Sequence, residues 1–319
     1  MRCAPLRGLV PVCLAWLAGH EPARAEEFFP TRDENPLLRG FYLPLATDSR
    51  LGDGAMLTAA FSVMNTVDYE VRGTQQLLID GESDTLRLMY ETTPADAWRV
   101  RLTVPVMHDS GGVLDGPIDA WHRFFGFSQG SRPLFPKNAL LYSTSVSGRV
   151  VDAAQTGFGN LSTEAGWYAA DGADRTVSLW AGLSAPTGSA ARLTGDGAWD
   201  GAIWAHLAHR GSRWRWAVEG GLTQPFGDQI YEGAAHRPVE FLRGALTRDL
   251  GASWSLRAQL DGRTGRDPGP DLRLLGPSLQ LTVGAAHTLG NGARLEFGFA
   301  EDAAVNTAPD ITFFIAVRD

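Results

Sequence analysis

Apolar and polar side chains alternate at every second position along much of this chain. Between Ser253 and Arg263 the apolar positions are Trp254, Leu256, Ala258 and Leu260, and the polar positions are Arg257, Gln259, Asp261 and Arg263. Successive side chains of a β-strand point to opposite faces, so each such segment predicts a strand with one apolar and one polar face. Repeated alternation predicts an all-β protein, either a membrane barrel or a soluble β-sandwich.

An export signal precedes these segments. Arg2 and Arg7 supply its positive end, residues 9–18 form a short apolar stretch, and residues 23–25 make a small-x-small cleavage site. The apolar stretch is too short to span a bilayer as a helix. We therefore predict that residues 1–25 are a signal peptide, and that cleavage near Ala25 delivers the protein to the outer membrane of a Gram-negative bacterium. Export favours the barrel over the sandwich.

Charge and cysteine content exclude several kinds of site. Cys3 and Cys13 both lie in the leader, so the mature chain has no disulfide, no thiol nucleophile and no cysteine metal site. Cleavage leaves 25 basic and 35 acidic residues, a net charge of −10. Nucleic acid is therefore not an expected partner, because phosphate binding requires a basic patch.

The strand pattern divides the mature chain into two regions. Residues 26–55 lack alternation and contain three prolines, which predicts an N-terminal lead-in or partial plug. Residues 56–319 are predicted to form the barrel, with a long loop at 108–138 that extends to 157 if residues 139–151 belong to the same outer excursion. A tight turn at Asp80-Gly81 would separate strands 71–80 and 84–93. With a short added strand near 38–46, the expected count is 12 to 14 strands.

Connections of two lengths alternate in the second half of the chain. Short glycine turns are expected at Asp171-Gly172, Arg210-Gly211-Ser212, Leu250-Gly251-Ala252 and Gly290-Asn291-Gly292. Longer glycine- and aspartate-rich loops are expected at 187–198, 225–236, 264–275 and 301–308. This pattern predicts an antiparallel transmembrane β-barrel with short periplasmic turns and longer outer loops.

The alternation also predicts which side chains face the lumen. An arginine facing lipid at the midplane costs about 2–4 kcal/mol, which fixes the register of charged strands. The expected lumen-lining residues are Arg87, Glu91, Arg99, Arg101, Glu164, His206, Arg215, Glu219, Arg257, Asp261, Arg263, Arg294 and Glu296. The expected outward residues include Leu57, Phe61, Leu86, Leu88, Tyr90, Trp167, Leu179, Trp214, Trp216, Phe241, Trp254, Phe297, Phe299, Phe313 and Ile315. Arginines outnumber acids in the lumen set, which indicates either an anion-preferring passage or an ion-paired core.

The long loop contains a predicted helix. Asp115 is expected to cap it and Pro117 suits its first turn, while Ile118, Trp121, His122 and Phe125 fall on one face. This helix would either fold into the lumen as a constriction, lie on the membrane surface, or simply pack the loop down. Its candidate functional residues are Asp115, Asp119, Trp121, His122 and Arg123.

Three functions remain open at this point. The first is a channel or uptake protein for small solutes, with anionic or zwitterionic solutes favoured by the lumen arginines. The second is a closed barrel with a structural or interaction role. The third, an outer-membrane hydrolase, lacks a recognisable nucleophilic serine, so we expect no enzymatic activity and assign no catalytic residue. We also expect no cofactor and no metal: the segment Asp196–Asp200 resembles a calcium loop but has too few ligands.

Several motifs together resemble one protein family. They are Thr31-Arg32-Asp33-Glu34-Asn35-Pro36-Leu37-Leu38, Asp80-Gly81-Glu82, the loop from Gly111 to Phe127, Ala185-Pro186-Thr187-Gly188, and Thr194-Gly195-Asp196-Gly197-Ala198-Trp199-Asp200. With these, nearly the whole mature chain is similar to the domain-of-unknown-function family numbered 3187. The resemblance implies a proteobacterial outer-membrane barrel whose partners are outer-membrane lipid and the barrel-assembly machinery, and it supplies no activity. Barrels of this kind usually end in an aromatic residue, whereas this chain ends in Asp319.

Overall fold

The structure, a computed structural model, describes residues 27–47, 54–126, 129–231, 237–266, 272–303 and 307–319. The predicted leader and its cleavage site near Ala25 lie outside these residues. In the described part of the chain, no helix is long and apolar enough to cross a membrane.

Twelve long strands make up the wall of a barrel in the described residues. They are β1 (Ala55–Arg72), β2 (Gln75–Ala95), β3 (Trp98–Ser110), β7 (Leu161–Asp171), β8 (Arg175–Ala185), β9 (Asp200–Arg210), β10 (Trp214–Pro225), β11 (Val239–Asp249), β12 (Trp254–Arg263), β13 (Ser278–Thr288), β14 (Arg294–Asp302) and β15 (Ile311–Arg318). The excursion between β3 and β7 holds one helix, α1 (Asp115–Phe125), and the short strands β4 (Leu141–Thr144), β5 (Arg149–Val151) and β6 (Gln155–Phe158). Single-turn 3-10 helices lie at Arg132–Leu134, Ala190–Arg192 and Arg273–Leu275.

Pairing of the first and last strands closes the barrel. β1 is antiparallel to β2 on one side and to β15 on the other, in a register that runs from Thr58 opposite Arg318 to Asn65 opposite Ile311. Every other wall strand pairs antiparallel with both of its neighbours. The prediction of a closed antiparallel barrel is confirmed, with twelve wall strands.

Side-chain exposure follows the predicted alternation. On β12, Leu256 and Leu260 are exposed on the outer surface, whereas Arg257 between them is buried inside. The same two-residue period recurs on the neighbouring strands β11 and β13. The outer surface is therefore an apolar band suited to lipid, and the polar residues are turned into the barrel.

From β7 onward, short and long connections lie at opposite ends of the barrel, whereas the two-residue connection between β1 and β2 lies at the end of the long ones. Tight turns close at Gly172, Gly211, Leu250 and Leu289, all at the end where β1 begins and β15 finishes. The longer connections lie at the other end, which is the outer end by the usual arrangement of such barrels. Gly292 has a φ of 90°, a left-handed conformation that favours glycine in its turn. The predicted short turns in the second half are confirmed.

The prediction for the first hairpin was wrong in one respect. The expected turn at Asp80-Gly81 does not form, because β2 continues through it with Gly81 nearly extended at a φ of 154°. The chain reverses instead at Gly73, with a φ of 59°. Residues 38–46 do not form the short strand that was expected: 38–40 lie in a turn, 41 is a bend and 42–46 have no regular secondary structure. Residues 139–151 contribute β4 and β5 to the outer excursion and not to the barrel wall.

One predicted outward side chain faces inward. Phe241 is buried against Trp204, with 6.5 Å between the ring centroids, and the guanidinium of Arg243 lies 5.8 Å from its ring centre. Phe241 and Arg243 are two residues apart on β11 and so share a face. The inward position of the arginine therefore carries the phenylalanine inside with it.

Candidate functional site

The structure places the thirteen candidate lumen residues on the inner side of the wall. Twelve are buried, and the side chain of Asp261 is 11% exposed. They are Arg87, Glu91, Arg99, Arg101, Glu164, His206, Arg215, Glu219, Arg257, Asp261, Arg263, Arg294 and Glu296. The pleat of each strand puts them there, because their outward neighbours are apolar.

Residues 27–47, here called the lumenal segment, run through the middle of the barrel. All of them are buried except Arg32 and Ala46, which are partly exposed. The amide of Phe29 donates to Gln259 Oε1 on β12 (2.8 Å), and the amide of Thr47 donates to Glu219 Oε2 on β10 (3.0 Å). Because its partners lie on strands around the wall, the segment occupies the lumen itself.

Three buried ion pairs shorter than 3 Å, and a fourth of 3.7 Å between Glu27 and Arg215, fix the lumenal segment to the wall. Arg39 donates two hydrogen bonds of 2.7 Å to the carboxylate of Asp109 on β3. Glu34 lies 2.6 Å from Arg87 on β2, and Asp33 lies 2.8 Å from Arg263 on β12. Charge-assisted pairs with this geometry are the strongest polar contacts available in a buried site.

Two segment residues in these pairs are favoured in the charged state. Burial disfavours a charged guanidinium, but the adjacent Asp109 carboxylate outweighs it and raises the pKa of Arg39. Burial likewise disfavours ionised Glu34, but the charge and hydrogen bond of Arg87 lower its pKa below the ordinary value. Arg39 and Glu34 therefore dock the segment as charged groups.

Wall arginines also bind the backbone of the lumenal segment. Arg101 donates to the carbonyl oxygens of Leu45 (2.8 Å) and Ala46 (2.7 Å), and Arg243 donates to that of Pro44 (3.0 Å). The guanidinium of Arg257 lies 4.4 Å from the ring centre of Phe29. An extended chain without strand partners exposes its carbonyl groups, and the wall arginines satisfy several of them.

The remaining lumen charges are paired with one another along the wall. Arg99 Nε donates to Glu91 Oε2 at 2.7 Å, and Arg101 pairs with Glu164. A second group centres on Glu296, which binds Arg257, Arg294 and Arg318 at 3.1–3.4 Å. A third joins Glu219, Arg243, Asp261 and His206. The excess of arginine inferred from sequence is thus neutralised in part by acids of the lumenal segment.

Two small cavities lie between the lumenal segment and the wall in the described residues. Their volumes are about 20 and 30 Å³. Each is large enough for roughly one water molecule. Around residues 27–47, the described part of the lumen is filled by side chains.

An apolar cluster covers the outer end of the lumenal segment. Leu37 and Leu38, at the turn of the segment, pack against Leu193, Ile230 and Leu274 from three outer loops. All five side chains are buried. Burial of this much apolar surface holds the outer loops over the barrel mouth.

The candidate residues of the long loop lie outside the lumen. α1 forms as predicted, but its N-cap is Leu114, and Asp115 is its first residue. Asp115 and Asp119 are buried. Trp121 and Arg123 are exposed and His122 is partly exposed. The helix packs on the outer surface of the wall, so it does not constrict the lumen.

The acidic loop that resembles a calcium site is occupied by an arginine. Arg266 Nη2 lies 3.4 Å from Asp196 Oδ2 and 2.7 Å from Asp228 Oδ2. Burial raises the pKa of Asp196, and Arg266 opposes that shift. Within the described ranges, no group of three or more His, Cys, Asp or Glu is placed to hold a metal ion.

Several contributors to this site were not predicted from sequence. Asp109 falls at the end of β3 rather than in a loop, and Arg243 was missed because its neighbour Phe241 was placed outside. The segment's own Asp33, Glu34 and Arg39 carried no strand pattern that would assign them a partner. Their charges in an otherwise buried stretch are the signal that points to paired partners on the wall.

Known structures share this fold. The outer membrane channel of the COG4313 group from Pseudomonas putida F1 superposes with a TM-score of 0.56 at 15% identity, covering 85% of this chain and 96% of that one. The NanC porin gives a TM-score of 0.48 at 6% identity, covering 82% of this chain and 98% of that one. At 15% identity the first likeness shows the fold of an outer-membrane β-barrel and nothing finer.

Sequence comparison settles the family but not the activity. No curated protein matches the chain. The model of a family described as a protein of unknown function, DUF3187, matches residues 29–319, which is almost all of the 319-residue chain. The predicted family resemblance is confirmed, and the chain belongs to the DUF3187 family.

Proposed function

We propose that this protein is a gated outer-membrane channel for small solutes, and that the lumenal segment is its gate. One observation carries the proposal: residues 27–47 fill the barrel without pairing as a strand with the wall. The ladder of wall hydrogen bonds therefore stays intact when the segment moves aside. Displacement breaks only side-chain contacts and a limited number of hydrogen bonds to backbone groups.

The carboxylates of the lumenal segment indicate which class of solute the channel would take. Glu34 and Asp33 contribute carboxylates to Arg87 and Arg263 on the wall. Displacement of the segment leaves these two arginines to bind another carboxylate. We therefore propose small anionic or zwitterionic solutes, which would replace the segment's own acids at these positions.

A closed barrel with a structural or interaction role is the second candidate. It is favoured by the filled lumen and by the apolar cluster of Leu37 and Leu38 under the outer loops. On this view the ion pairs only stabilise a polar core. We propose no enzymatic activity and assign no catalytic residue.

Planar-bilayer recording of the refolded protein separates the two candidates. The test variant is Asp33→Asn with Glu34→Gln, which removes both segment carboxylates. The control is Glu91→Gln, which breaks the wall pair with Arg99 and leaves Asp33 and Glu34 in place. A channel predicts frequent openings in the double variant, with an anion-leaning reversal potential, and few in the control. Silence from all three folded, inserted proteins would establish the closed barrel instead.

A second variant tests the solute class in the same recordings. Arg87→Gln and Arg263→Gln, added to the double variant, should reduce its anion preference, because they remove the two exposed guanidinium groups. An unchanged reversal potential would contradict the proposed role of these arginines and leave the gate itself untouched.

A further inference from the structure

The outward register of β1 locates α1 on the barrel's external surface. Phe61 and Val63 lie on the outer, lipid-facing side of β1, and Asn65 continues the same alternate set without a bulge. Yet Asn65 is fully buried. The outer surface of the wall is therefore covered at this level, and the covering element is α1 with the residues that follow it.

Polar contacts fix α1 to this surface. Asn65 Nδ2 donates to Asp115 Oδ1 at 3.1 Å, and Arg132 Nη2 donates to Asn65 Oδ1 at 2.6 Å. Arg132 also donates to Asp115 (3.0 Å) and to Asp310 (2.8 Å), which immediately precedes β15. The helix is thus anchored across the seam between β1 and β15.

This anchor lies at the edge of the lipid-facing band. Val63 on β1 and Phe313 on β15 lie opposite each other across the seam, and Phe313 is exposed on the outer surface. The next outward-facing pair along the seam is Asn65 and Ile311. Two residues of a strand rise about 7 Å. The base of α1 therefore lies about that far above the last apolar row of this seam.

The exposed face of α1 is aromatic. Phe124 is 81% exposed, Trp121 is 54% exposed and Phe125 is 49% exposed. Their rings touch, with centroids 4.4 Å apart for Trp121 and Phe125 and 4.8 Å for Phe124 and Phe125. Arg123 is exposed between them. A contiguous exposed aromatic patch marks an interaction surface, and tryptophan beside arginine suits the boundary between headgroups and acyl chains.

We propose that α1 is an interfacial helix that rests on the outer leaflet of the membrane. Trp121, Phe124 and Phe125 enter the boundary between lipid headgroups and acyl chains, and Arg123 binds lipid phosphate. The lipid surface is the occupant because the anchor of α1 lies one outward row, about 7 Å, above the lipid-facing pair Val63 and Phe313. This inference is independent of whether the barrel conducts.

Site-directed spin labelling tests the depth of the helix directly. Residues 26–319 contain no cysteine, so single cysteines report without background. The test variant is Phe124→Cys, at an exposed position whose substitution leaves the packed face of α1 intact. Phe313→Cys is the lipid-facing control, and Val71→Cys, at the exposed tip of the β1–β2 hairpin, is the water-facing control.

The readout is collision of each label with oxygen and with a nickel chelate, in phosphatidylcholine vesicles. We expect the label at residue 124 to collide with oxygen in preference to the chelate, as at residue 313. A label accessible to the chelate, as at residue 71, would overturn the proposal and leave the patch in water. A label shielded from both quenchers would also overturn it, and would indicate a protein partner or a second copy.

Discussion

Removal of Arg39 is the sharpest perturbation of the lumenal segment. Its side chain is fully buried, and it makes two 2.7 Å hydrogen bonds to Asp109. It also donates to the carbonyl oxygen of Leu193 (2.9 Å) and to Ser83 Oγ (2.7 Å). Arg39→Met keeps an unbranched apolar stem in place of the inner part of the side chain and deletes every one of these donors.

The expected loss of docking free energy follows from the Asp109 carboxylate, which stays buried without its arginine. Removing one partner of a buried pair costs about 3–5 kcal/mol, because the other charge stays buried and uncompensated. Asp109 retains hydrogen bonds from Ser83 and Gln155, which moves the expected cost to about 3 kcal/mol. Since 1.4 kcal/mol is a factor of ten, docking of the segment should weaken by about 100-fold.

Amide hydrogen exchange of the segment measures this change. Exchange of the amides of Phe29 and Thr47, which donate to wall side chains, requires the segment to leave its partners. In the Arg39→Met protein both should exchange about 100-fold faster, while amides in the middle of the wall strands keep their protection.

The matched control removes an exposed arginine whose partner, Glu70, is buried and keeps a hydrogen bond from the amide of Leu274. Arg72, whose side chain is 61% exposed, pairs with Glu70 at 3.3 Å at the tip of the first hairpin. Surface pairs contribute about 0–1 kcal/mol, so Arg72→Met should change segment exchange by less than about fivefold. Equal acceleration in both variants, or none in Arg39→Met, would refute the idea that this pair docks the segment.

Three further predictions concern the gate, the loop and the lipid face. Glu34 has a lowered pKa when docked, so its contribution to docking is present above pH 4.5 and lost as the pH falls through the docked value. The protection factors of the segment amides, corrected for intrinsic exchange at each pH, should therefore fall on acidification, and less steeply in Glu34→Gln. Gly112→Ala should destabilise the loop by about 1–3 kcal/mol, because φ is 64° and the added carbon would clash with the carboxyl group of Glu82 on β2, whereas Gly116→Ala meets nothing and should be neutral or stabilising in limited proteolysis. Leu256→Arg on the lipid face should lower the free energy of unfolding by about 2–4 kcal/mol, measured by refolding titrations with lipid vesicles. Leu250→Arg at a turn should lower it by about 0–1 kcal/mol.

The wall was predictable because each strand carries its own two-residue signal. In β12 a shift of register by one residue would turn Arg257 toward lipid, so the alternation within this strand is enough to determine which face points inward. The alternation gave the wrong face for Phe241, because this aromatic side chain packs inside the barrel against Trp204. It failed again at Asp80-Gly81, where a turn-forming pair lies within an extended strand.

Contacts of the lumenal segment could not be derived from the chain alone. Asp33 and Arg263 are 230 residues apart, and Arg39 and Asp109 are 70 apart. Their pairing depends on the number of wall strands and on the register of each one, because these together set which inward side chains face one another. Sequence shows that these charges need partners, and only the closed barrel determines which partners they find.

The two most distinctive sequence motifs outside the segment meet at one carboxylate. Glu82, the last residue of the Asp80-Gly81-Glu82 motif, accepts hydrogen bonds at 3.2 Å from the amides of Val113 and Leu114, at the start of α1. A carboxylate at a helix N-terminus satisfies free amides and favours the helix dipole. Glu82 projects from β2 on the same outer face as Asn65, its direct cross-strand partner, which binds Asp115 in the first turn of α1. β1 and β2 thereby hold the same end of the helix through two side chains, so the outer excursion keeps a fixed position on the barrel wall.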